Sequence, residues 1–393
     1  MTSLAPSAHP VRLAISESTH RWTEWTWQQS HAVRDVAGIK LAFPGLSADV
    51  CSRIEANNRH MRFQLTPYML SLVGVDTNGV PLSQDPIWNM YVPTYEPYEG
   101  DEPISTLLGD NWELTQEMIN PILQHKYENR VNFRIQNRCL AYCNYCFEAK
   151  RVLDKDSRVG AFREEWFTEA LNYIRNHEEV EEVVISGGEP LTLSNTRLDD
   201  ILGRIRAIHT VRALRLQTRA FTQNPFRVDE EFIRLLIRHE VSALGVHVSH
   251  PVEITQAFRD VLDRLSRAGC RTILLGQIPL LKGINDSAEI LKDLFMSLYA
   301  LKVRPYYFLH AMPETLGSER FRTSVRHGVE IMMRLKRRIS NPALPEYVIV
   351  HAKGKHTVPL ELAGTREFQY VDGGVRFRNW KGEWCFYSDV EDV

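Results

Sequence analysis

Apolar and polar positions change their spacing along the chain near residue 131. From there on, short runs rich in Val, Ile and Leu alternate with longer stretches whose apolar residues recur every three to four positions. These spacings predict buried strands and amphipathic helices in alternation. The predicted strands are 131–136, 182–186, 212–217, 242–247, 272–278 and 303–309, and the predicted helices are 162–177, 196–208, 229–239, 252–268 and 286–300. Six such repeats predict a parallel sheet curved into a partial (β/α)6 barrel.

The segments on either side of these repeats have different patterns. Helical spacing runs through Trp22, Trp25 and Trp27 and again through 46–72, and the Pro-rich stretch 85–103 is expected to be an extended connection. After residue 320 we expect a helix at 324–338, a strand at 346–351, and two small hairpins at Gly373-Gly374 and Lys381-Gly382. The prediction is an α/β protein with a helical N-terminal region (1–105), a barrel (106–320) and a small α+β C-terminal extension (321–393).

Composition restricts the possible partners and compartment. Net charge is −2 and the basic residues are dispersed, which predicts neither a nucleic-acid footprint nor a basic membrane-binding patch. No stretch has the length and apolar character of a signal peptide or a membrane span. Three of only six cysteines fall within eight positions, which fits metal binding in a reducing compartment better than disulfides. We therefore expect a soluble cytoplasmic protein.

Cys139, Cys143 and Cys146 form a C-x3-C-x2-C motif directly after the first predicted strand. Thiolates are soft ligands that suit iron–sulfur clusters or zinc. A structural zinc site needs four protein ligands, and the remaining cysteines, Cys51, Cys270 and Cys385, are scattered. The triad therefore predicts a metal centre with one coordination position open to a non-protein ligand.

Polar or Gly-rich residues follow the ends of the other predicted strands. Because the carboxyl ends of barrel strands form one rim, these residues predict a single active site. In Gly187-Gly188-Glu189-Pro190 the glycines permit close backbone approach to a ligand, and the acid can accept a hydrogen bond from an ammonium group. Further candidates are Gln217, His247 and Gln277.

The cysteine motif, followed one β-α unit later by GGEP, resembles the signature of radical S-adenosylmethionine (SAM) enzymes. The resemblance implies a [4Fe-4S] cluster on Cys139, Cys143 and Cys146, with SAM bound to the fourth iron. It also implies that Tyr145 lies near the adenine and that GGEP binds the methionyl amino group. Gln217, His247 and Gln277 would then contact SAM.

Eight segments narrow the resemblance to the lysine 2,3-aminomutase family. They run in family order from about residue 20 to 360 and read RWTEWTWQ, LTPYMLSL, HKYENRVNFRIQNRCLAYC, LRLQTRA, HVSHPVEIT, LLKGIND, VRPYYF and FRTS. The family couples SAM to pyridoxal phosphate (PLP), which forms an imine with a lysine. The resemblance implies a small amino acid substrate, an external electron donor such as flavodoxin or ferredoxin, and a homo-oligomer.

The segment PEYVIVHAKGKHTVPL, residues 345–360, departs from the family at the imine lysine. The ungapped match places Thr357 there, and threonine cannot form an imine. Lys353 or Lys355 could reach PLP through a two-residue slip. Lys126, Tyr127 and Arg130 stand at the family's phosphate-binding positions, where they are remnants or hold an anionic group of the substrate.

The substrate-binding positions also depart from the family. Glu148 replaces an arginine that holds the substrate carboxylate, and an acid there favours an amine or guanidinium group. Glu314 is a second candidate anchor for a cation, and Arg134 is a candidate for a carboxylate. Tyr306 and Tyr307 end the sixth strand, and alternation predicts that one faces the barrel interior and the other the helices.

These departures predict that the radical is made as in the family and used differently. The leading hypothesis is PLP-independent desaturation of a free, basic amino acid similar to lysine or arginine. The first alternative is a PLP-dependent 2,3-aminomutase with a relocated lysine. The second, from a different class, is a non-catalytic iron–sulfur protein, and the intact cysteine triad and GGEP argue against it.

Overall fold

A ten-stranded sheet forms the centre of the computed structural model, which describes residues 20–97, 113–153, 162–312, 319–379 and 381–390. Its strands lie side by side in chain order. They are β1 (Met118–Asn120), β2 (Leu123–Tyr127), β3 (Arg130–Arg134), β4 (Glu182–Ser186), β5 (Ala213–Thr218), β6 (Ala243–His247), β7 (Ile273–Leu280), β8 (Arg304–His310), β9 (Glu346–His351) and β10 (Gly354–Thr357).

Strands β3 to β9 are parallel, so the α/β fold class and all six predicted barrel strands are confirmed. The structure adds a seventh parallel strand, β9, which the sequence analysis had assigned to the C-terminal extension. Along β5, Leu214 and Leu216 are fully buried toward the helices, whereas Arg215 and Gln217 on the opposite face are only partly buried. This alternation gives the barrel an apolar exterior under the helices and a polar interior, the lumen.

The helices follow the strands in the predicted order. They are α1 (Trp25–Ser30), α2 (Val36–Ala42), α3 (Ala48–His60), α4 (Pro67–Leu70), α5 (Pro86–Tyr91), α6 (Ala149–Val152), α7 (Glu164–Arg175), α8 (Asn195–Arg206), α9 (Ala220–Gln223), α10 (Glu230–Arg238), α11 (Gln256–Arg267), α12 (Ala288–Ala300) and α13 (Val325–Leu335). Side-chain caps fix where several begin: Asp229, for example, accepts a hydrogen bond from Phe232 N at 2.7 Å. No helix in the described part of the chain is long and apolar enough to cross a membrane.

The N-terminal helices pack through their own apolar cluster against the barrel rim. The prediction of an extended connection over 85–103 is wrong at its start, because α5 occupies Pro86–Tyr91. Asp85 caps this helix by accepting from Trp88 N at 2.7 Å, and proline is favoured at a first helical position. Packing stabilises this helix, because it buries the side chains of Trp88 and Tyr91.

The C-terminal tail forms a separate three-stranded antiparallel sheet, which confirms the predicted hairpins. Its strands are β11 (Phe368–Val371), β12 (Gly374–Arg378) and β13 (Trp384–Ser388). Phe368 and Phe377 stack on His356 of β10, with ring centroids 5.6 and 4.5 Å from the imidazole. The tail therefore supports the outer side of the β9–β10 hairpin.

Side chains close the barrel between its first and last strands. The backbone N–H of Lys355 on β10 donates to the Tyr127 hydroxyl on β2 at 2.8 Å. Lys126 of β2 donates to the carbonyl of Ala352 in the turn of the β9–β10 hairpin. We call this junction the seam, since no backbone ladder joins β2 to β10.

The register between β7 and β8 contains a bulge that places two tyrosines on one side of the sheet. Gly276 pairs with Pro305 and Gln277 with Tyr307, so Tyr306 is an extra residue. The two hydroxyls are 3.0 Å apart and the ring centroids 3.9 Å apart. The prediction that Tyr306 and Tyr307 face opposite sides is therefore wrong, because a bulge resets the alternation.

Candidate active site

The cysteine loop, residues 139–146, follows β3 at the rim and is held by the N-terminal region. The side-chain amide of Gln64 donates to Leu140 O at 2.7 Å, and Asn144 N donates to Met90 O at 2.8 Å. Burial raises the pKa of the Cys139 and Cys146 thiols, and the neighbouring cysteines raise it further. The three cysteines therefore belong to a loop whose backbone the N-terminal region holds at the rim.

The donor set of this loop fits a cluster better than a single ion. Within the described ranges, no three His, Cys, Asp or Glu side chains converge as ligands of one metal ion would. In a [4Fe-4S] cluster each thiolate binds a different iron, so its ligands stand farther apart than those of a mononuclear site. In the part of the chain that the structure describes, the loop offers three thiols, and the other cysteines lie in separate segments, which matches a cluster with one open iron.

Gly187 and Gly188 pack the loop after β4 directly against the backbone that leads into the cysteine loop. A Cβ on Gly188 would lie 2.4 Å from Arg138 O, and one on Gly187, whose φ is +133°, would lie 2.2 Å from Gln136 O. Gly188 N donates to Gln136 O at 2.5 Å, and Glu189 N donates to Arg138 O at 2.7 Å. The glycines therefore serve contact between two loops of the chain, and ligand contact stays a prediction.

Glu189 lies buried beneath the rim, and its carboxylate accepts three hydrogen bonds. The donors are Leu191 N at 3.0 Å, Thr218 Oγ1 at 2.8 Å and Arg219 N at 2.7 Å. Burial raises the pKa of this carboxyl, although the three donors oppose the shift. Glu189 thus joins the ends of β4 and β5, and Pro190 begins the short turn that follows.

Arg219 is a rim residue that the sequence analysis did not select. Its guanidinium donates to Cys143 Sγ at 3.1 Å, to the Tyr145 hydroxyl, and to Ser249 Oγ at 2.8 Å. The partly buried Tyr145 ring packs edge to face on Phe321, with the ring centroids 5.6 Å apart. The place of Arg219 directly after a predicted strand, in LRLQTRA, was a signal that could have identified it.

Gln217, Gln277 and His247 meet inside the lumen below the rim. Gln217 Oε1 accepts from Gln277 Nε2 at 2.9 Å and lies 3.3 Å from His247 Nε2. Gly245 makes room, because a Cβ there would lie 1.9 Å from Gln217 Oε1. Burial, with the charges of Arg219 and Lys355, lowers the pKa of His247 to about 3, so the imidazole is neutral at physiological pH.

Glu148 belongs to a buried group of alternating charges. Its carboxylate lies 2.8 Å from Arg134 Nε and 3.3 Å from Arg151 Nε, and both guanidinium groups also contact Glu113, at 2.6 and 2.5 Å. Two acids thus face two bases. The structure places Glu148 and Arg134 together, each already paired, and their predicted contacts with substrate remain untested.

The predicted phosphate-binding residues lie at the seam. Lys126 forms an ion pair with Glu117 at 2.9 Å in addition to its bond to Ala352. Arg130 lies over the Tyr127 ring, 4.1 Å from its centroid. Glu314 lies outside the described residues.

The β9–β10 hairpin separates the two candidate lysines. Lys353 lies in the turn on the outside, 3.3 Å from Glu383 of the tail. Because side chains alternate along a strand, Lys355 and Thr357 both lie on the lumen face of β10. Lys355 Nζ lies 4.5 Å from the Tyr307 ring centroid, and the Thr357 hydroxyl donates to the Glu346 carboxylate. Solvent reaches the Lys355 side chain, but the surrounding protein partly desolvates its amine. This desolvation, with the charges of Arg215 and Arg130, lowers the pKa of Lys355 to about 8.

Comparison with known proteins identifies the family. Residues 133–294 match the Radical SAM superfamily. The chain is 33% identical over 340 residues to a putative L-lysine 2,3-aminomutase of Aquifex aeolicus, covering 86% of this chain and 88% of that protein. It is 30% identical over 391 residues to the L-lysine 2,3-aminomutase of Methanococcus maripaludis, covering 97% and 85%. It is 29% identical over 377 residues to the glutamate 2,3-aminomutase of Clostridioides difficile, covering 94% and 84%. The chain is a radical SAM enzyme, with the [4Fe-4S] cluster and SAM that this implies, and belongs to the lysine 2,3-aminomutase family.

Proposed function

We propose that this enzyme removes a hydrogen atom from an aliphatic carbon of a free amino acid and desaturates it without PLP. The ungapped match predicts Thr357 at the family's imine position, and one observation supports the proposal: the Thr357 hydroxyl donates to the Glu346 carboxylate. This contact fits the ungapped match, because Thr357 pairs with Val348 within a regular hairpin. The hydroxyl cannot take over the role of an amine.

The seam also differs from a phosphate cradle. Lys126, at a phosphate-binding position, is neutralised by Glu117 at 2.9 Å. The Tyr127 hydroxyl already accepts the Lys355 N–H. A phosphate carrying nearly two negative charges would meet the Glu117 carboxylate there, and like charges in a partly buried site repel. This charge arrangement supports a reaction without PLP, and no step of the proposed reaction uses it.

Desaturation balances with SAM as the oxidant. The cluster and SAM, when bound, supply the 5′-deoxyadenosyl radical. The substrate loses one hydrogen atom to that radical and then one electron and one proton, which leaves a carbon–carbon double bond. The products are the alkene, methionine, 5′-deoxyadenosine and one proton, and the electron used to cleave SAM is recovered. The chain's part is to orient the target carbon and exclude water from it.

The test is anaerobic turnover of cluster-loaded protein with SAM, a reductant and a panel containing L-lysine, L-arginine and L-glutamate, with and without PLP. We expect a product lighter than its substrate by two hydrogen atoms, with one 5′-deoxyadenosine per product and no effect of PLP. A product with the mass of the substrate that forms only with PLP would contradict the proposal. The panel extends beyond basic amino acids because Glu148 is already paired with two arginines.

The relocated Lys355 favours a second candidate, a PLP-dependent 2,3-aminomutase. Its amine enters the lumen on the same strand face as Thr357, its pKa is lowered to about 8, and relatives of the chain carry that activity in their names. A visible aldimine absorbance on adding PLP, lost in Lys355→Met and kept in Thr357→Val and Lys353→Met, would establish this candidate and exclude the first.

A further inference from the structure

Two cations in the lumen, Arg130 and Lys355, form no ion pair with an acid among the described residues. The neighbouring bases are paired: Arg215 with Glu182 at 2.9 Å, and Lys126 with Glu117 at 2.9 Å. Arg130 forms no ion pair in the described ranges, and its guanidinium lies over the Tyr127 ring. The amine of Lys355 likewise contacts an aromatic face, that of Tyr307. Arg130 Nη1 also donates to Asn129 Oδ1 at 3.5 Å. A cation–π contact does not use the hydrogen-bond donors of a cation, so the remaining donors of both groups can bind a ligand.

Tyr127 positions both cations. Its ring supports the Arg130 guanidinium at 4.1 Å, and its hydroxyl accepts the backbone N–H of Lys355 at 2.8 Å. The charges of Arg130 and Arg215 contribute to the lowered pKa of Lys355, which places these cations in one electrostatic neighbourhood. A bound anion would relieve this repulsion, since an opposite charge favours the charged form of an amine.

We propose that Arg130 and Lys355 together bind the carboxylate of the amino acid substrate. The inference rests on the proposed function and names where one end of its substrate lies. A guanidinium presents parallel N–H donors that match both oxygens of a carboxylate. The Glu346 carboxylate acts electrostatically on Lys355, and Glu117 pairs with Lys126. These acids offset part of the positive charge, so the remainder suits a singly charged group better than a phosphate.

This anchor determines which part of the substrate faces the radical source. Arg130 begins β3, whereas Arg134 ends it and leads into the cysteine loop. Four residues of strand span about 13 Å at about 3.3 Å each. A substrate held by its carboxylate at Arg130 therefore extends its side chain toward the rim. Carbons beyond Cβ, rather than Cα and Cβ, would lie nearest the cluster.

Equilibrium binding without reductant tests the anchor separately from turnover. The probes are L-arginine and L-lysine, each compared with its decarboxylated counterpart, agmatine or cadaverine, which has no carboxylate. We expect wild-type enzyme carrying cluster and SAM to bind at least one amino acid about tenfold or more tightly than its amine. Arg130→Gln and Lys355→Met should each remove most of this preference, Arg130→Lys should restore part of it, and Lys353→Met should leave it unchanged.

Two results would overturn the anchor. One is wild-type enzyme that shows no preference for any amino acid over its amine, including no binding of either. The other is an aldimine at Lys355, detected as a borohydride-reduced adduct on that residue, which would assign the anionic group to the phosphate of PLP. Carboxylate-dependent binding without a desaturated product would contradict the proposed reaction and leave the anchor standing.

Discussion

Lys355 and Thr357 enter the same lumen from one strand, two residues apart, and only Thr357 has an acid as its hydrogen-bond partner. Because side chains on a strand alternate, a slip of two residues keeps a side chain on the same face. The lumen therefore contains an amine two residues before Thr357 on β10, the position that the ungapped match predicts for the family's imine lysine. Whether this amine binds a carboxylate or an aldehyde decides the chemistry.

Thr357→Val should preserve activity. The substitution removes the hydroxyl that donates to Glu346 and nothing else of comparable size, so we expect a loss of about 1 kcal/mol or less in the free energy of unfolding. Turnover should stay within about twofold, because a tenfold change requires about 1.4 kcal/mol at the transition state. Denaturant unfolding and 5′-deoxyadenosine formation measure the two effects. Complete loss of turnover in a folded Thr357→Val protein would assign this hydroxyl a catalytic role.

Lys355 should react with amine reagents faster than Lys353 at pH 8. Its pKa is lowered to about 8, so about half of it is neutral there, whereas an ordinary lysine with a pKa of about 10.4 is almost fully protonated. Between these two values the unfolded chain binds more protons at this residue than the folded chain does, so its contribution to stability rises with pH. Limited acylation with mass spectrometry of each site measures the rates.

A carboxylate bound at Arg130 should slow the acylation of Lys355 by raising its pKa and shielding it. The amino acid probes should therefore protect Lys355 and leave Lys353 unaffected, while the decarboxylated amines protect neither. Equal reaction rates of the two lysines without ligand would show that the Lys355 amine is ordinary in solution.

Gly188→Ala should prevent cluster loading by separating two loops. The new Cβ would lie 2.4 Å from Arg138 O, a backbone atom that cannot move without shifting the approach to Cys139. We expect reduced iron content after reconstitution and a lower melting temperature. Gly203→Ala is the matched control, since its Cβ would meet His239 Cε1 at 3.5 Å within a helix, where alanine is favoured. Normal iron content in Gly188→Ala would show that this loop contact is dispensable.

Glu148→Gln should destabilise the fold strongly. It removes a charge from a buried group in which Arg134 and Arg151 face Glu148 and Glu113, leaving an excess guanidinium charge at a cost of about 3–5 kcal/mol. The control is Glu289→Gln, which breaks an exposed pair with Arg338 and should change stability little. Urea unfolding compares the two. A stable Glu148→Gln protein that binds basic amino acids weakly would instead support the predicted contact of Glu148 with substrate.

The sequence predicted the parts of the fold whose signals are local. In the strand 213–218 burial alternates as leucine alternates with polar residues, and in 182–186 a run of apolar residues forms the predicted strand. The motifs at the ends of these strands do lie on one rim. The bulge at Tyr306 could not be predicted, because it exists only relative to Gly276 and Gln277 on the neighbouring strand. The helix Pro86–Tyr91 was masked by prolines that favour extended chain and first helical turns alike.

The site shows the same division. The cysteines and GGEP are contiguous motifs that can be found in the sequence. In contrast, Arg134 pairs with both Glu148 and Glu113, and these three residues come from separate segments that only the fold brings together. From the sequence alone, Lys353 and Lys355 were equal candidates for an amine that reaches PLP. The turn of the hairpin separates them, directing one to Glu383 outside and the other to the lumen.

The seam has a consequence for how the protein folds. Its two hydrogen bonds join residues that are separated by 226 and 228 positions in the sequence. Each bond therefore closes a very long loop and adds only one contact. Contacts between residues so far apart in sequence form late in folding, because the chain loses the entropy of loop closure before the new contacts can stabilise it. The barrel should therefore exist for a time as an open sheet with its interior exposed. A ligand bridging Arg130 on β3 and Lys355 on β10 would bind only the closed form, and would thereby shift the equilibrium toward closure.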